Sequence, residues 1–240
     1  IEKPLGMNAN GWQKLHDDCQ KHKLISYIGY CHRFISYTKK LKELIQKKII
    51  GDVVHANMRW GSYLPDWHPW EDYRDVYFSN KETSACREML PFELIWLNWL
   101  MRSQVKDISG TITKVSNLDM DAEDIALATL KYKNGIYGNI IIDVISRKPF
   151  RTLRVLGSNG VLEWEHFEHT IRLYDATTET SSILQVPKGN PEAGYVNEEE
   201  MYNDEIKAFL DAIYGKAPYP HTFEENLFNI QALFHLIETQ

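Results

Sequence analysis

Between Val105 and Val186 apolar residues recur at every second position in one short run after another, with turn residues between the runs. A period of two is the side-chain repeat of a β-strand. The pattern predicts strands over 105–115, 124–132, 136–145, 150–157, 160–165, 170–175 and 181–186. Lys133-Asn134-Gly135 and Ser158-Asn159-Gly160 carry the Asn-Gly hairpin signature. Consecutive strands joined by turns this tight pair antiparallel. Ile140, Ile141 and Ile142 are consecutive, so that strand is apolar on both faces. Helices can cover one face, and the other calls for a partner.

The flanking segments supply the helices. Asn8 or Asn10 caps a helix through about Lys21, with Trp12, Leu15 and Cys19 at helical spacing. Leu24–Tyr30, a short run of β-branched and aromatic residues, reads as a strand. Ser36–Lys48 reads as a helix with Leu41, Leu44 and Ile45 inward, ended by Gly51. A strand over 52–63 follows. Pro91 suits the first turn of a helix running to Met101. Helices over 196–214 and 222–239 end the chain, the first stopped by Gly215, the second opened by a Thr222/Glu225 capping box. This order predicts an α+β fold: one large, open, mostly antiparallel sheet with helices packed on one face. The bare face predicts a homodimer or homotetramer.

Composition excludes several classes. The net charge is −6, with 27 Lys and Arg against 33 Asp and Glu, which argues against nucleic acid as a partner. No apolar run is long enough to span a membrane. The cysteines, Cys19, Cys31 and Cys86, have neither zinc spacing nor an even count. Reduced thiols, a cytoplasmic location and no metal are the expectation. The opening Ile1-Glu2-Lys3-Pro4 reads as the beginning of a fragment.

The stretch 64–83 has no period and is crowded with Trp67, His68, Trp70, Tyr73 and Tyr77 among acids and Arg74. A loop this long in a compact domain is usually functional. Aromatic faces stack on sugar C–H surfaces while acids and arginine bind hydroxyls. Asp66, Trp67, His68, Tyr73 and Arg74 are therefore candidate substrate-binding residues. The plainer reading is a loop pinned over the core by its aromatics. Arg33 and Trp60 are candidates to line the same pocket, although residues of this kind at a strand end or within a strand are more often packing residues. Asp143, Arg147 and Arg151 read first as structural ion pairs or dimer contacts.

Five pieces resemble a known family in this order and spacing: Glu2-Lys3-Pro4 before a helix; Gly29-Tyr30 with Arg33-Phe34; Ile50-Gly51-Asp52; Asp143 with Arg147 and Arg151; and Gly157-Ser158-Asn159-Gly160-Val161-Leu162-Glu163-Trp164. Together they resemble the C-terminal portion of the glucose–fructose oxidoreductase, inositol dehydrogenase and rhizopine-catabolism (Gfo/Idh/MocA) family, over essentially the whole chain. Tyr63–Arg74 resembles a subgroup associated with surface-polysaccharide and sugar-nucleotide metabolism. The resemblance implies a glyceraldehyde-3-phosphate-dehydrogenase-like sheet domain over 23–240, preceded by a junction segment, 1–22. It also implies an NAD- or NADP-binding Rossmann half upstream. No GxGxxG occurs in this chain, so the fragment alone is expected to bind no cofactor and to be inactive.

The resemblance implies a C-terminal substrate-binding and dimerisation domain of a dehydrogenase acting on a sugar or sugar-nucleotide hydroxyl. Glu2, Lys3 and Pro4 would lie at the cofactor, and Lys3 would orient substrate and shuttle a proton. One element departs from the family: the usual acid/base histidine is Phe92, followed by Glu93, and the preceding glycines are replaced. Phenylalanine transfers no proton. Three alternatives stay open. Glu88 or Glu93 is the acid/base, with Arg87 gripping a carboxylate or phosphate; His68 reaches in from the loop; or catalysis is lost and the protein is a non-catalytic sugar-binding or regulatory descendant.

Overall fold

The structure, a computed structural model, describes residue 3 and residues 10–186 and 200–239. Eight strands form one sheet: β1 (Val53–Tyr63), β2 (Val105–Thr113), β3 (Ile125–Tyr132), β4 (Tyr137–Asp143), β5 (Ile145–Gly157), β6 (Gly160–Glu165), β7 (Thr170–Asp175) and β8 (Thr180–Gln185). Their spatial order is β2-β3-β4-β1-β5-β6-β7-β8. Every neighbouring pair is antiparallel except β1 with β4. All seven period-two runs are strands, with bounds within a few residues of the pattern, apart from β5, which begins at Ile145. Five helices accompany them: α1 (Trp12–Lys21), α2 (Ser36–Gln46), α3 (Ala85–Met101), α4 (Glu200–Ile213) and α5 (Phe223–Glu238).

Alternation decides which face is covered. Ala56, Met58, Leu130, Ile140, Ile142, Leu153, Val155, Leu162, Trp164 and Ile171 are all buried. They meet across the strands in register, Met58 with Ile140 and Leu153, and Leu153 with Trp164. The core lies between this face and α3, whose 17 residues bury Leu90, Leu94, Trp96, Leu97 and Leu100. The positions in between, such as Leu127, Tyr137 and Arg172, are exposed on the bare face. A cross-strand ion pair occupies part of that face, Arg154 with Glu163 at 3.0 Å.

At the β1–β5 seam backbone meets backbone too closely for a side chain. Gly51 has φ +74°, beyond the end of α2. A Cβ on Gly157 would sit 2.0 Å from the Ile50 carbonyl oxygen. These contacts explain the Ile50-Gly51-Asp52 and Gly157–Gly160 motifs. The Thr222/Glu225 capping box forms in both directions, at 3.1 and 3.2 Å.

Three local expectations need correction. Leu24–Tyr30 is not a strand: it lies beside no other strand among the described residues, and it passes into a 3₁₀ turn, Cys31–Phe34. A strand needs a neighbour to take its hydrogen bonds, which the segment's composition cannot guarantee. The helix assigned to Pro91 begins six residues earlier, at Ala85. Ser84 caps it, accepting from the Arg87 N–H at 3.3 Å, and Pro91 lies inside. α1 is flanked by Gly11 at φ +80°, with no side-chain cap; Asn8 lies outside the described residues, as do 196–199 ahead of α4. No helix among the described residues is long and apolar enough to cross a membrane.

Candidate functional site

α3 starts where β1 has ended and the 64–83 segment has crossed back, so its first turns face both that segment and the turn Cys31–Phe34. Glu88 and Phe92, one helical turn apart, share a face. Glu88 is buried. It pairs with the Lys3 ammonium through Oε1 and accepts from the Tyr77 hydroxyl through Oε2 at 2.8 Å. The Lys3 ammonium also lies 4.9 Å from the Phe92 ring centroid. A residue at the chain start, one from the long loop and one from α3 thus meet at a single carboxylate.

Glu93, fully buried, points the other way. One oxygen pairs with Arg151 of β5 and the other accepts from the Trp96 indole N–H at 2.6 Å. Burial raises its pKa, and Arg151 and Trp96 oppose that shift. Arg151 also donates to His32 Nδ1 at 3.2 Å, which fixes the His32 proton on Nε2. Burial, then Arg151, His166 and Lys3, hold the His32 pKa well below the usual histidine value. The His32 ring packs 4.4 Å from Phe92. The Tyr30 ring is 5.9 Å from Phe92 on another side, its buried hydroxyl making no hydrogen bond among the described residues. Phe92 therefore sits inside a ring of Lys3, Glu88, Tyr30, His32 and Arg151, two cations and one acid among them.

The other candidates are placed as follows. Arg87 pairs with Glu123 at 2.5 Å, both largely buried. Arg74 pairs with Asp72 and, at 3.4 Å, with Asp119. The Asp119 N–H donates to the Tyr73 hydroxyl at 2.9 Å. Trp67 packs edge-on against Trp60 and Phe78, at 5.5 and 4.9 Å, and the aromatic interior of the loop is filled. His68 stacks on the exposed Trp70 at 5.1 Å and pairs with Glu71 at 2.5 Å. Asp66 is exposed. Arg33 lies elsewhere, buried against Pro220 O at 2.5 Å, Ile95 O at 3.4 Å and Glu225 at 3.2 Å. Glu2 and Pro4 lie outside the described residues.

Structure thus joins Lys3, Glu88 and Glu93 around Phe92 and links one loop residue, Tyr77, to them. It keeps Arg33 and Arg87 in separate ion pairs. Sequence reasoning left out Tyr30, His32 and Arg151 as site residues; Arg151 carried a signal, standing among the family-like residues. Asp143 accepts from the N–H groups of Ile145 and Ser146 at 3.1 and 2.9 Å, and Arg147 covers the Tyr63 ring at 3.6 Å, both structural contacts.

Comparisons with known proteins agree with this architecture. Residues 38–163 match the GFO/IDH/MocA C-terminal domain family. Over 228 residues the chain is 22% identical to a myo-inositol 2-dehydrogenase of Thermotoga maritima, covering 90% of this chain and 62% of that protein. It superimposes on an oxidoreductase from Agrobacterium radiobacter in complex with NAD+, L-tartaric acid and magnesium. The TM-score is 0.86 at 14% identity, covering 100% of this chain and 69% of that one. It also superimposes on a levoglucosan dehydrogenase in complex with NADH and levoglucosan, with TM-score 0.82 at 12% identity, covering 99% and 70%. With over half its length matched by the family model and its fold superimposing on these structures, the chain belongs to the Gfo/Idh/MocA C-terminal domain family.

Proposed function

We propose that this chain is the substrate-binding and assembly part of an NAD(P)-dependent dehydrogenase that oxidises a hydroxyl of a sugar or sugar nucleotide. The observation that carries the reading is the convergence of Lys3, Tyr77 and Glu88 beside Phe92. A buried carboxylate held by an ammonium and a phenol is equipped to take a hydroxyl proton, and the ammonium to stabilise the alkoxide that forms. The partners of Glu93, Arg151 and Trp96, are themselves shielded from solvent, whereas Lys3 and Tyr77, which hold Glu88, both reach it, so in this reading Glu88 is the base and Glu93 holds Arg151 and the Phe92 wall in place. Phe92 offers an apolar face to the sugar ring. Tyr77, and the exposed His68–Trp70 stack, would contact substrate from the loop.

The nicotinamide would accept the hydride. This chain by itself does not fit that cofactor: it contains no glycine-rich pyrophosphate turn and brings to it only the 2–4 segment. Two features support a nucleotide-binding half elsewhere in the protein. The chain spans 62% of its curated relative. α1 buries no residue, while Leu24 and Ile25 are exposed beside it in an extended run without a neighbouring strand among the described residues. Such a run can add to the sheet of a second domain. The bare face of the β-sheet, with Leu127 and Tyr137 exposed, supports assembly as a dimer or tetramer; a monomer at micromolar concentration in light scattering would contradict it.

Phe92 at the usual histidine position favours a second reading, a sugar-binding protein without catalysis. Following NAD(P)H formation across a panel of sugars and sugar nucleotides separates the two, using the polypeptide with its upstream residues. Cofactor reduction with at least one compound is expected. A compound that raises the melting temperature while none is oxidised selects the second reading.

A further inference from the structure

Two turns beyond Phe92, α3 borders a cleft that the Lys3–Glu88 cluster does not line. Arg33, Lys42, Asn98, Trp99, Arg102, Glu225 and Asn229 line most of a cleft of 340 Å³. The turn Cys31–Phe34 lies across α3 between the two sites, with His32 against Phe92 and Trp96 and Arg33 against Ile95 and Trp99.

The charge in this cleft is unbalanced. Three cations, Arg33, Lys42 and Arg102, meet one acid, Glu225, which is 3.2 Å from Arg33. Lys42 is buried. Its ammonium donates to the Trp99 carbonyl and stands 4.8 Å from the Trp99 ring centroid. Burial, followed by repulsion from Arg102 and Arg33, draws its pKa down to about 8. Carbonyls near the end of α3 occupy some donors of Lys42 and Arg33, as cations at a helix C-terminus do. They leave the repulsion standing.

Hydrogen bonding is unbalanced as well. Asn98 Nδ2 donates to Asn229 Oδ1 at 2.8 Å. Three buried polar atoms then have no partner among the described residues: Asn98 Oδ1, Asn229 Nδ2 and Arg33 Nε. Exchanging the ends of both amides leaves one donor and one acceptor again, so the deficit does not depend on how the amides are assigned. Unpaired buried groups of this kind mark an absent partner. Here the partner must bring negative charge to the cations and a donor to the lone amide acceptor.

We propose that this cleft binds a small oxyanion that also carries hydroxyls, a sugar phosphate or a sugar acid, at a site separate from the Lys3–Glu88 cluster. The anion sits among Lys42, Arg102 and the Arg33 Nε–H, and a hydroxyl reaches the Asn98–Asn229 pair. This does not rest on the dehydrogenase reading; it holds equally for a non-catalytic protein.

The test is calorimetry and thermal melting of this chain with glycerol 3-phosphate and with glycerate, alongside sodium chloride at matched ionic strength. At least one of the two is expected to bind saturably and to shift the Asn98 and Asn229 side-chain NH₂ signals in a ¹⁵N spectrum. Arg102→Ala, on an exposed residue, and Lys42→Met, an uncharged replacement of similar length, should each weaken binding at least tenfold while far-UV circular dichroism stays unchanged. Affinity should fall as pH rises past 8, where Lys42, facing Arg33, Arg102 and Glu225, loses its proton. Chloride reproducing the whole melting shift would overturn the proposal, as would unchanged affinity in Arg102→Ala or binding of neither compound.

Discussion

The ring around Phe92 depends on ion pairs that differ in how far they are shielded. Glu93 is fully buried and Arg151 largely so, and Arg151 also holds His32. Removing one member of a buried pair leaves the other charged and unpaired, which typically destabilises by about 3–5 kcal/mol. Arg151→Met is expected to do so in urea unfolding. The double variant Arg151→Met/Glu93→Gln should recover part of the loss, because the orphaned charge is gone. Neither partner was legible as a pair. Glu93 is 58 residues from Arg151, and only the folding of β5 beneath α3 brings them together. Glu88 was legible as a candidate, through its place in the stretch that resembles the family's acid/base element, whereas its loop partner Tyr77 stood unmarked among several aromatics.

At the scale of elements, what could be read in advance is what is local. Each strand from β2 to β8 announces itself by alternation, since covered and bare faces of one sheet impose a period of two on every strand. The start of α5 was equally plain: Thr222 and Glu225 satisfy each other's backbone within four residues. Thr222→Ala should therefore lower stability by about 1 kcal/mol, read as a shift of the urea midpoint, and Thr222→Ser should restore most of it. Leu24–Tyr30 failed for the opposite reason, because strand formation there needs a neighbour from outside the described residues. The start of α3 failed because Pro91, a strong marker of a first turn, is tolerated here inside a buried helix, and the Ser84 cap is a weaker signal.

For the molecule as a whole, acid should be the vulnerable direction. Burial first, and neighbouring cations after it, lower the pKa of His166 to about 4 and of His221 to about 3, and hold His32 well below its usual value. In the unfolded chain these rings take up protons near pH 6.5; in the folded protein they do so only below about 4. The unfolded state binds more protons across that window, so folding stability rises with pH there. The contribution is complete above pH 6.5 and is lost as pH falls toward 4. Each ring contributes a limiting slope of about 1.4 kcal/mol per pH unit. Unfolding midpoints at pH 7.0, 5.5 and 4.5 should show this fall, and His166→Gln/His221→Gln should flatten it. An unchanged slope in that double variant would place the sensitivity elsewhere.

The central claim is that Lys3 and Glu88 act together on a substrate hydroxyl at the seam with a nicotinamide-binding half. Single-turnover formation of NAD(P)H by the polypeptide with its upstream residues, comparing the wild type with Lys3→Met on the best sugar substrate, tests it most directly. The account predicts a fall in the hydride-transfer rate of about 100-fold or more, with cofactor affinity little changed. A Lys3→Met protein that reduces cofactor at the wild-type rate would contradict it.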